Sequence, residues 1–370
     1  MLILAIIIFI LILSVLVIVH EAGHFWIARR NGVKVEEFGI GYPPRFCGWY
    51  KSMKTGKWRF FKGNNCDKRS DIKDTMYSIN FIPFGGFVRL LGQESDSNSK
   101  ESYSQKSPWT RAKIIFAGAG MNFLLALLLL TIWFWIVPKN LPNEIVVVAV
   151  EKNSVAESIG IKPNDFITKI NNQTISSYEQ LQEFTKANAG KEINITIKHY
   201  GKEETNQVAL PENSTAPLGV SLAETGMDSI PNIPWYQAPY YAFIEIVNVI
   251  WLSISYIGSF IASLFGGVKV STDSVSGPIG IFTYLRQIIY LGPSFVIRFA
   301  AMISVAVGFT NLLPFPALDG GHLVFIAGEM IRGKKIMKEK WENAIHTIGF
   351  ALLLILFVFV TYNDISRLIK

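Results

Sequence analysis

The sequence predicts an α-helical polytopic membrane protein with four transmembrane helices, one of them broken. It adds a re-entrant β-hairpin and strand region on the cytoplasmic side and one small α/β unit on the outer side. Three observations lead there. Half of the 370 residues are apolar and only 17% are charged, which is not the balance of an ordinary water-soluble domain. Long apolar stretches recur, each near or above the roughly 20 residues that a helix needs to cross hydrocarbon. Basic residues gather in two connecting segments and are outnumbered in a third, the asymmetry that sets membrane orientation.

The first stretch covers Met1 to about Ala28, the second about Ala112 to Val137 and the last about Ile345 to Tyr362. Another, from about Phe299 to Ile331, is interrupted by "PFPALDGG". The first stretch lacks a basic leader segment and an A-x-A cleavage site, so it is expected to persist as a span. Between Arg29 and Lys113 basic residues outnumber acids, with Lys51, Lys54, Lys57, Lys68 and Arg69 among them; "RGKKIMKEK" after Ile331 is also basic. These segments are read as cytoplasmic and the mildly acidic segment from Pro138 to Ile233 as external. The net charge of +7 then belongs to loops facing anionic lipid, and no nucleic-acid partner is implied. Cys47 and Cys66 fall on the reducing side, without C-x-x-C spacing.

Four regions follow: an N-terminal membrane core, 1–137, containing the re-entrant region at about 38–92; the α/β unit, 143–223; an amphipathic membrane-associated helix, 235–268; and a C-terminal membrane core, 269–370. A further crossing by 235–268 would turn the "RGKKIMKEK" loop outward, so this helix is expected to lie at the membrane surface or to line a cavity.

Within the first span stands "HEAGH". His20 and His24 are at i and i+4, so a helix puts both imidazoles on one face, with Glu21 beside them. In H-E-x-x-H two neutral imidazoles bind Zn²⁺ and the glutamate acts on a water that the metal activates. Ionisable groups inside a span cost several kcal/mol and persist mainly where they work. Two histidines do not complete a zinc site. "NLLPFPALDGGH", Asn311 to His322, supplies a third donor in Asp319, because Pro314 and Pro316 break the helix and Gly320 and Gly321 permit turns. Irregular backbone at membrane depth survives only when buried in protein or lining a cavity. At about 1.5 Å per residue His24 and His20 lie roughly 8 and 14 Å inside Arg29, and Asp319 precedes Arg332 by a comparable distance once the helix break is allowed for. His322 could also ligate, but is read as a supporting group or simply a polar residue of the short helix that follows, and His199 and His346 are read as ordinary residues.

These motifs together resemble the site-2 protease family of intramembrane zinc metalloproteases, closest to the bacterial regulator-of-sigma-E protease (RseP) branch. "YSINFIPFGGFVRLLG", "FAGAGMNFLLA" and "VSGPIGI" are similar to family segments and come in family order. The resemblance implies zinc held by His20, His24 and Asp319, Glu21 as catalytic base, and Asn311 close to substrate; without it Asn311 reads as a helix-capping or bundle residue.

"EIVVVAV" and "EINITIKHY" have strand composition, "SYEQLQEFTKANAG" reads as a short helix, and Asn171-Asn172 signals a hairpin. This unit resembles a bacterial PDZ domain, with Leu218, Gly219 and Val220 of "PLGVSL" as the candidate peptide-binding segment. A PDZ fold that only obstructs access stays open beside one that binds a chain terminus. Only one such unit fits, whereas well-known members of this branch carry two. "FGGFVRLLGQ" is read as a strand, with Phe87, Val88, Arg89, Leu90 and Leu91 available to receive an unwound substrate, or else as a structural hairpin. "FGIGYPPRF" is expected to form the re-entrant turn, with Gly39 and Gly41 permitting it.

The function expected is regulated intramembrane proteolysis of single-span membrane proteins such as anti-sigma factors or remnant signal peptides, in a bacterial cytoplasmic (inner) membrane. The PDZ-like unit would lie outside and the active site near the cytoplasmic face. The expected partners are the single-span substrate, the lipid bilayer and a peptide ligand of the PDZ-like unit. The alternative is a non-catalytic zinc-containing membrane scaffold that binds peptide termini. A cation transporter is disfavoured by the few spans and the absence of an inverted repeat.

Overall fold

The computed structural model describes residues 2–64, 72–93, 98–137, 144–212, 218–224, 233–264, 277–337 and 339–369. Cys66, Lys68, Arg69, Pro138, Asn143, Pro217, Val275 and Ser276 from the sequence reading lie outside them, as do residues 265–276 and Lys338.

Helix α1 runs Leu2–Arg30, 29 residues, or about 43 Å, which exceeds the hydrocarbon thickness. It ends where Arg29 and Arg30 meet the negative end of the helix dipole and Gly32 turns left-handed, so that Val33 N–H closes onto Ala28 O at 2.9 Å. The chain then forms a three-stranded sheet, β1 (Val35–Lys51), β2 (Trp58–Lys62) and β3 (Met76–Leu90), in the order β2-β1-β3. The strand β1 turns at Gly41 (φ 77°) and Pro43-Pro44, where the sequence places the re-entrant turn. Val88 and Tyr77 both oppose Phe38, and Phe87 and Ser78 both oppose Gly39, so the two halves of β3 flank the same stretch of β1.

One buried carboxylate ties this sheet together. Glu37 is 1% exposed and accepts from Arg45 Nε and Nη2 at 2.7 and 2.6 Å and from Ser78 Oγ at 2.8 Å, with Arg89 Nη1 at 3.4 Å. Deleting one partner of a buried ion pair costs about 3–5 kcal/mol, because the remaining charge loses its compensation. Glu37→Ala is therefore expected to loosen the sheet, seen as faster limited proteolysis between 35 and 90; unchanged cleavage there would refute this role.

Helix α2 (Pro108–Ile136) is capped by Ser107, whose hydroxyl accepts from Thr110 N–H at 3.3 Å, with Pro108 in the first turn. It crosses α1 closely at Gly23, where an added Cβ would lie 2.3 Å from Ala117 O, the small-residue contact by which membrane helices approach.

The next unit is an α/β sandwich. Strands β4 (Ile145–Val150), β5 (Phe166–Ile170), β6 (Gln173–Thr174), β7 (Glu192–His199), β8 (Lys202–Ala209) and β9 (Val220–Glu224) form a sheet of order β8-β7-β5-β4-β9, with β6 beside β5. The short helices α3 (Val155–Ser158) and α4 (Tyr178–Ala187) belong to the same unit. Its core is aliphatic: Ile145, Val147, Ile167, Ile170, Ile193 and Ile195 are all buried. Asn171 and Asn172 take φ of 46° and 65°, as the β5–β6 hairpin requires.

Among the described residues five more helices follow: α5 (Ala238–Leu264), α6 (Pro278–Leu291), α7 (Pro293–Asn311), α8 (Asp319–Arg332) and α9 (Glu339–Ile369). The break expected after Asn311 is present. Gly320 and Gly321 let α8 start against it, since a Cβ there would meet Leu313 O at 2.2 Å and Phe315 O at 2.5 Å. Helix α6, which composition did not separate, is capped by Asp364 of α9; its carboxylate accepts from Gly277 and Gly280 N–H at 3.0 and 2.9 Å. Among the described residues five helices are long and apolar enough to cross a membrane: α1, α2, α5 with the turn before it, α7 and α9. By length and composition α5 thus matches the four helices read as crossing, and the Arg298–Glu245 ion pair, 2.9 Å, joins it to α7.

Candidate metal centre

The spacing of His20 and His24 on α1 brings their Nε2 atoms 3.1 Å apart. Asp319 arrives at the first position of α8, with Oδ2 3.0 Å from His20 Nε2 and 3.3 Å from His24 Nε2. A tetrahedral zinc with bonds of about 2.0–2.1 Å separates its donor atoms by roughly 3.4 Å. The triangle is therefore close to the size that the ion imposes. Two imidazole nitrogens facing each other at 3.1 Å also need something positive between their lone pairs, whether a proton or a metal.

The fit extends to the space around the donors. Gly118 of α2 faces them, and a Cβ built there would lie 2.4 Å from His24 Nε2 and 2.6 Å from His20 Nε2. The absent side chain leaves a vacant spot beside both nitrogens. Behind His24, Nδ1 donates to Ile114 O at 2.8 Å, which fixes the tautomer with a free lone pair on Nε2. Behind His20, Nδ1 faces the side-chain amide of Asn122, which is fully buried, at 3.3 Å. The atom placed there is Nδ2; with a metal on Nε2, Nδ1 would carry the proton and the amide would turn end for end, so that its otherwise unpartnered Oδ1 accepts it. Ser304 Oγ, donating to Asn122 O at 2.8 Å, locks this turn of α2 to α7.

Glu21 sits next to the donors without joining them. The Val88 backbone amide of β3 faces its carboxylate, and Gly86 passes so close that a Cβ there would be 3.7 Å from Glu21 Cγ. A cleft of about 280 Å³ opens between these elements, lined by Glu21, His24, Phe87, Val88, Asp319 and His322 among others. Its far wall includes Arg111 and Glu329, paired at 2.6 Å across α2 and α8.

The remaining sequence candidates fall in different places. Phe87, Val88 and Leu90 line the cleft, and β3 is an end strand of its sheet. Arg89 instead reaches Glu37, and the backbone of Leu91 is engaged within the chain: its N–H donates to Lys34 O and its C=O accepts from Tyr103 N–H. Asn311 is the last residue of α7, half-buried, and is not among the residues lining the cleft. In the α/β unit Leu218 is buried in the core and Gly219 takes φ 66°, while Val220 opens the end strand β9. Gly118, Asn122 and Ile114 were not singled out from sequence; "FAGAGMN" carries no donor pattern, and only the crossing with α1 shows their role.

A hydrophobic helical bundle holding two histidines, an aspartate and an adjacent glutamate at one point defines a membrane metallopeptidase. The chain belongs to peptidase family M50, the site-2 protease family, whose profile matches residues 8–65 and 62–356. A protein of Clostridium acetobutylicum, provisionally named a zinc metalloprotease, is 33% identical over 97% of this chain and 97% of its own. The zinc metalloprotease RasP of Shouchella clausii is 29% identical over 97% of this chain and 98% of its own. Among solved structures, the PDZ domain of the SdrC-like protein from Listeria monocytogenes covers 21% of this chain and 86% of its own. That alignment has 20% identity and a TM-score of 0.20. Zn²⁺ is the metal that the donor set and these relatives indicate.

Proposed function

We propose that this protein is an intramembrane zinc endopeptidase that performs regulated intramembrane proteolysis, cutting single-span membrane proteins near the cytoplasmic face of a bacterial inner membrane. Anti-sigma factors and remnant signal peptides fit that substrate class. The observation that carries the reading is Glu21: a carboxylate beside the three donors, not among them, and facing a cleft walled by an end strand.

His20, His24 and Asp319 would hold the ion, which supplies Lewis-acid polarisation of a carbonyl and of a water molecule. Glu21 would take a proton from the attacking water as its oxygen bonds to the scissile carbonyl carbon, and would give that proton to the nitrogen as the C–N bond breaks. Unwinding a substrate helix in lipid would strand amides and carbonyls at several kcal/mol each. The outer edge at Phe87–Leu90, part of an end strand paired to β1 on its other side, supports strand addition beside Glu21 as the mode of presentation. The basic loops support a site on the cytoplasmic side and an α/β unit outside. There, the end strand β9 and α4 support a PDZ-like role in screening what enters, whether by binding a terminus or by obstructing access. The α5 helix, with aromatic residues exposed along it, is read as lying at the membrane surface beside the substrate's path.

The test is purified full-length protein with a single-span reporter. Cleavage should stop on chelation and return with Zn²⁺ at one ion per chain. Undiminished cleavage by protein shown to be metal-free would refute the proposal.

A further inference from the structure

A second group of donors is formed by His322, Glu342 and His346, the first two of which line the same cleft. The hydrogen bonds around His346 argue against a metal there. Its Nδ1 accepts from the Ala317 N–H at 3.0 Å, so its proton is on Nε2. A metal on Nε2 would push that proton to Nδ1, against another N–H donor. A metal on Nδ1 would displace the Ala317 bond. The rings of His322 and His346 are also stacked, with centroids 3.7 Å apart and planes 12° from parallel, so their in-plane lone pairs do not converge.

The same contacts point to another role. Ala317 lies two residues before Asp319, with φ of 79°, a left-handed conformation that alanine resists. Outside the α/β unit it is the single non-glycine residue with positive φ among the described residues. Among the described residues its amide is held by a contact from α9 alone. That helix is pressed against the turn: Gly349, three residues beyond His346, sits where a Cβ would be 2.6 Å from Pro316 O. The ring of His346 is held in turn by the stack with His322 and by Gly321, whose added Cβ would be 3.2 Å from His346 Cε1.

We propose that His346 is a positioning residue for the metal centre: by accepting from Ala317 N–H it pins the left-handed turn that delivers Asp319 to His20 and His24. The inference rests on Asp319 being a ligand. The C-terminal helix thereby becomes part of the metal site without touching the ion.

The experiment measures Zn²⁺ content and affinity of full-length protein by elemental analysis and competition with a chromophoric chelator. His346→Leu removes the acceptor and should weaken zinc binding on the order of 10–100-fold, the usual effect of losing an outer-shell partner. His346→Asn, which returns an acceptor near the Nδ1 position, should recover most of it. Ala317→Gly makes the left-handed turn free of strain, so it should be near wild type alone and should rescue His346→Leu to within a few-fold. Wild-type affinity in His346→Leu, or failure of Ala317→Gly to rescue, would overturn the proposal. So would two zinc ions per wild-type chain with one lost in His346→Leu, which would restore the second-metal reading. Asp319→Ala separates the levels. If it retains zinc, the ligand assignment itself fails; if it loses zinc while His346→Leu keeps it, only the pin fails.

Discussion

Glu21→Gln is expected to bind zinc as the wild type does and to lose cleavage of a single-span reporter by at least 10²–10⁴-fold, the usual share of a general base. The two outcomes separate because Glu21 adjoins the donor triangle without being a corner of it. Glutamine keeps the size of the side chain and an oxygen for the Val88 amide, so β3 should hold its place. What it cannot do is take a proton from water or return one to the leaving amine. A loss of zinc would mean that the carboxylate shapes the site. Normal turnover would remove it from the chemistry altogether. Elemental analysis beside a turnover assay on one preparation distinguishes all three results.

How much of this was legible in the residues follows from the range of the forces involved. His20, Glu21 and His24 were readable because one helical turn fixes their relation and because hydrocarbon makes each of them expensive. Asp319 was readable because a proline-broken segment at membrane depth needs a reason to exist. The strands of the α/β unit and its Asn171-Asn172 turn were readable for the same local cause: alternation and turn chemistry are set by neighbours in the chain. Helix α6 was not, since its boundaries depend on Asp364 reaching back from α9. The doubled pairing of β3 around one stretch of β1 was not either, because the register comes from the buried Glu37 network and the hairpin at Pro43-Pro44. His346 read as ordinary, since its partner is a backbone amide 29 residues away and carries no side-chain signature. Gly118 and Asn122 are the same case on α2: a missing methyl and a neutral amide acquire meaning only where α1 crosses.

Gly118→Ala follows from that crossing and is the most economical probe of it. On helix propensity alone the change favours α2 by up to about 1 kcal/mol, since alanine loses less backbone freedom and suits a helix better. The local geometry opposes it. The added methyl would stand 2.4 Å from His24 Nε2 and 2.6 Å from His20 Nε2, well inside van der Waals contact and in the space beside both donors. Neither ring can back away cheaply: His24 is held through Nδ1 by Ile114 O and His20 lies against Asn122. The expected result is a protein that folds but melts earlier than wild type, since overpacking costs about 1–3 kcal/mol and outweighs the propensity gain, binds zinc at least 100-fold more weakly and does not cleave. Gly120→Ala is the control, because its methyl would meet nothing closer than Phe116 Cε1 at 3.8 Å and should leave both properties alone. Equal zinc affinity in the two variants would show that the ion does not sit between α1 and α2. The donor triangle would then be a hydrogen-bonded histidine–aspartate cluster and not a metal centre.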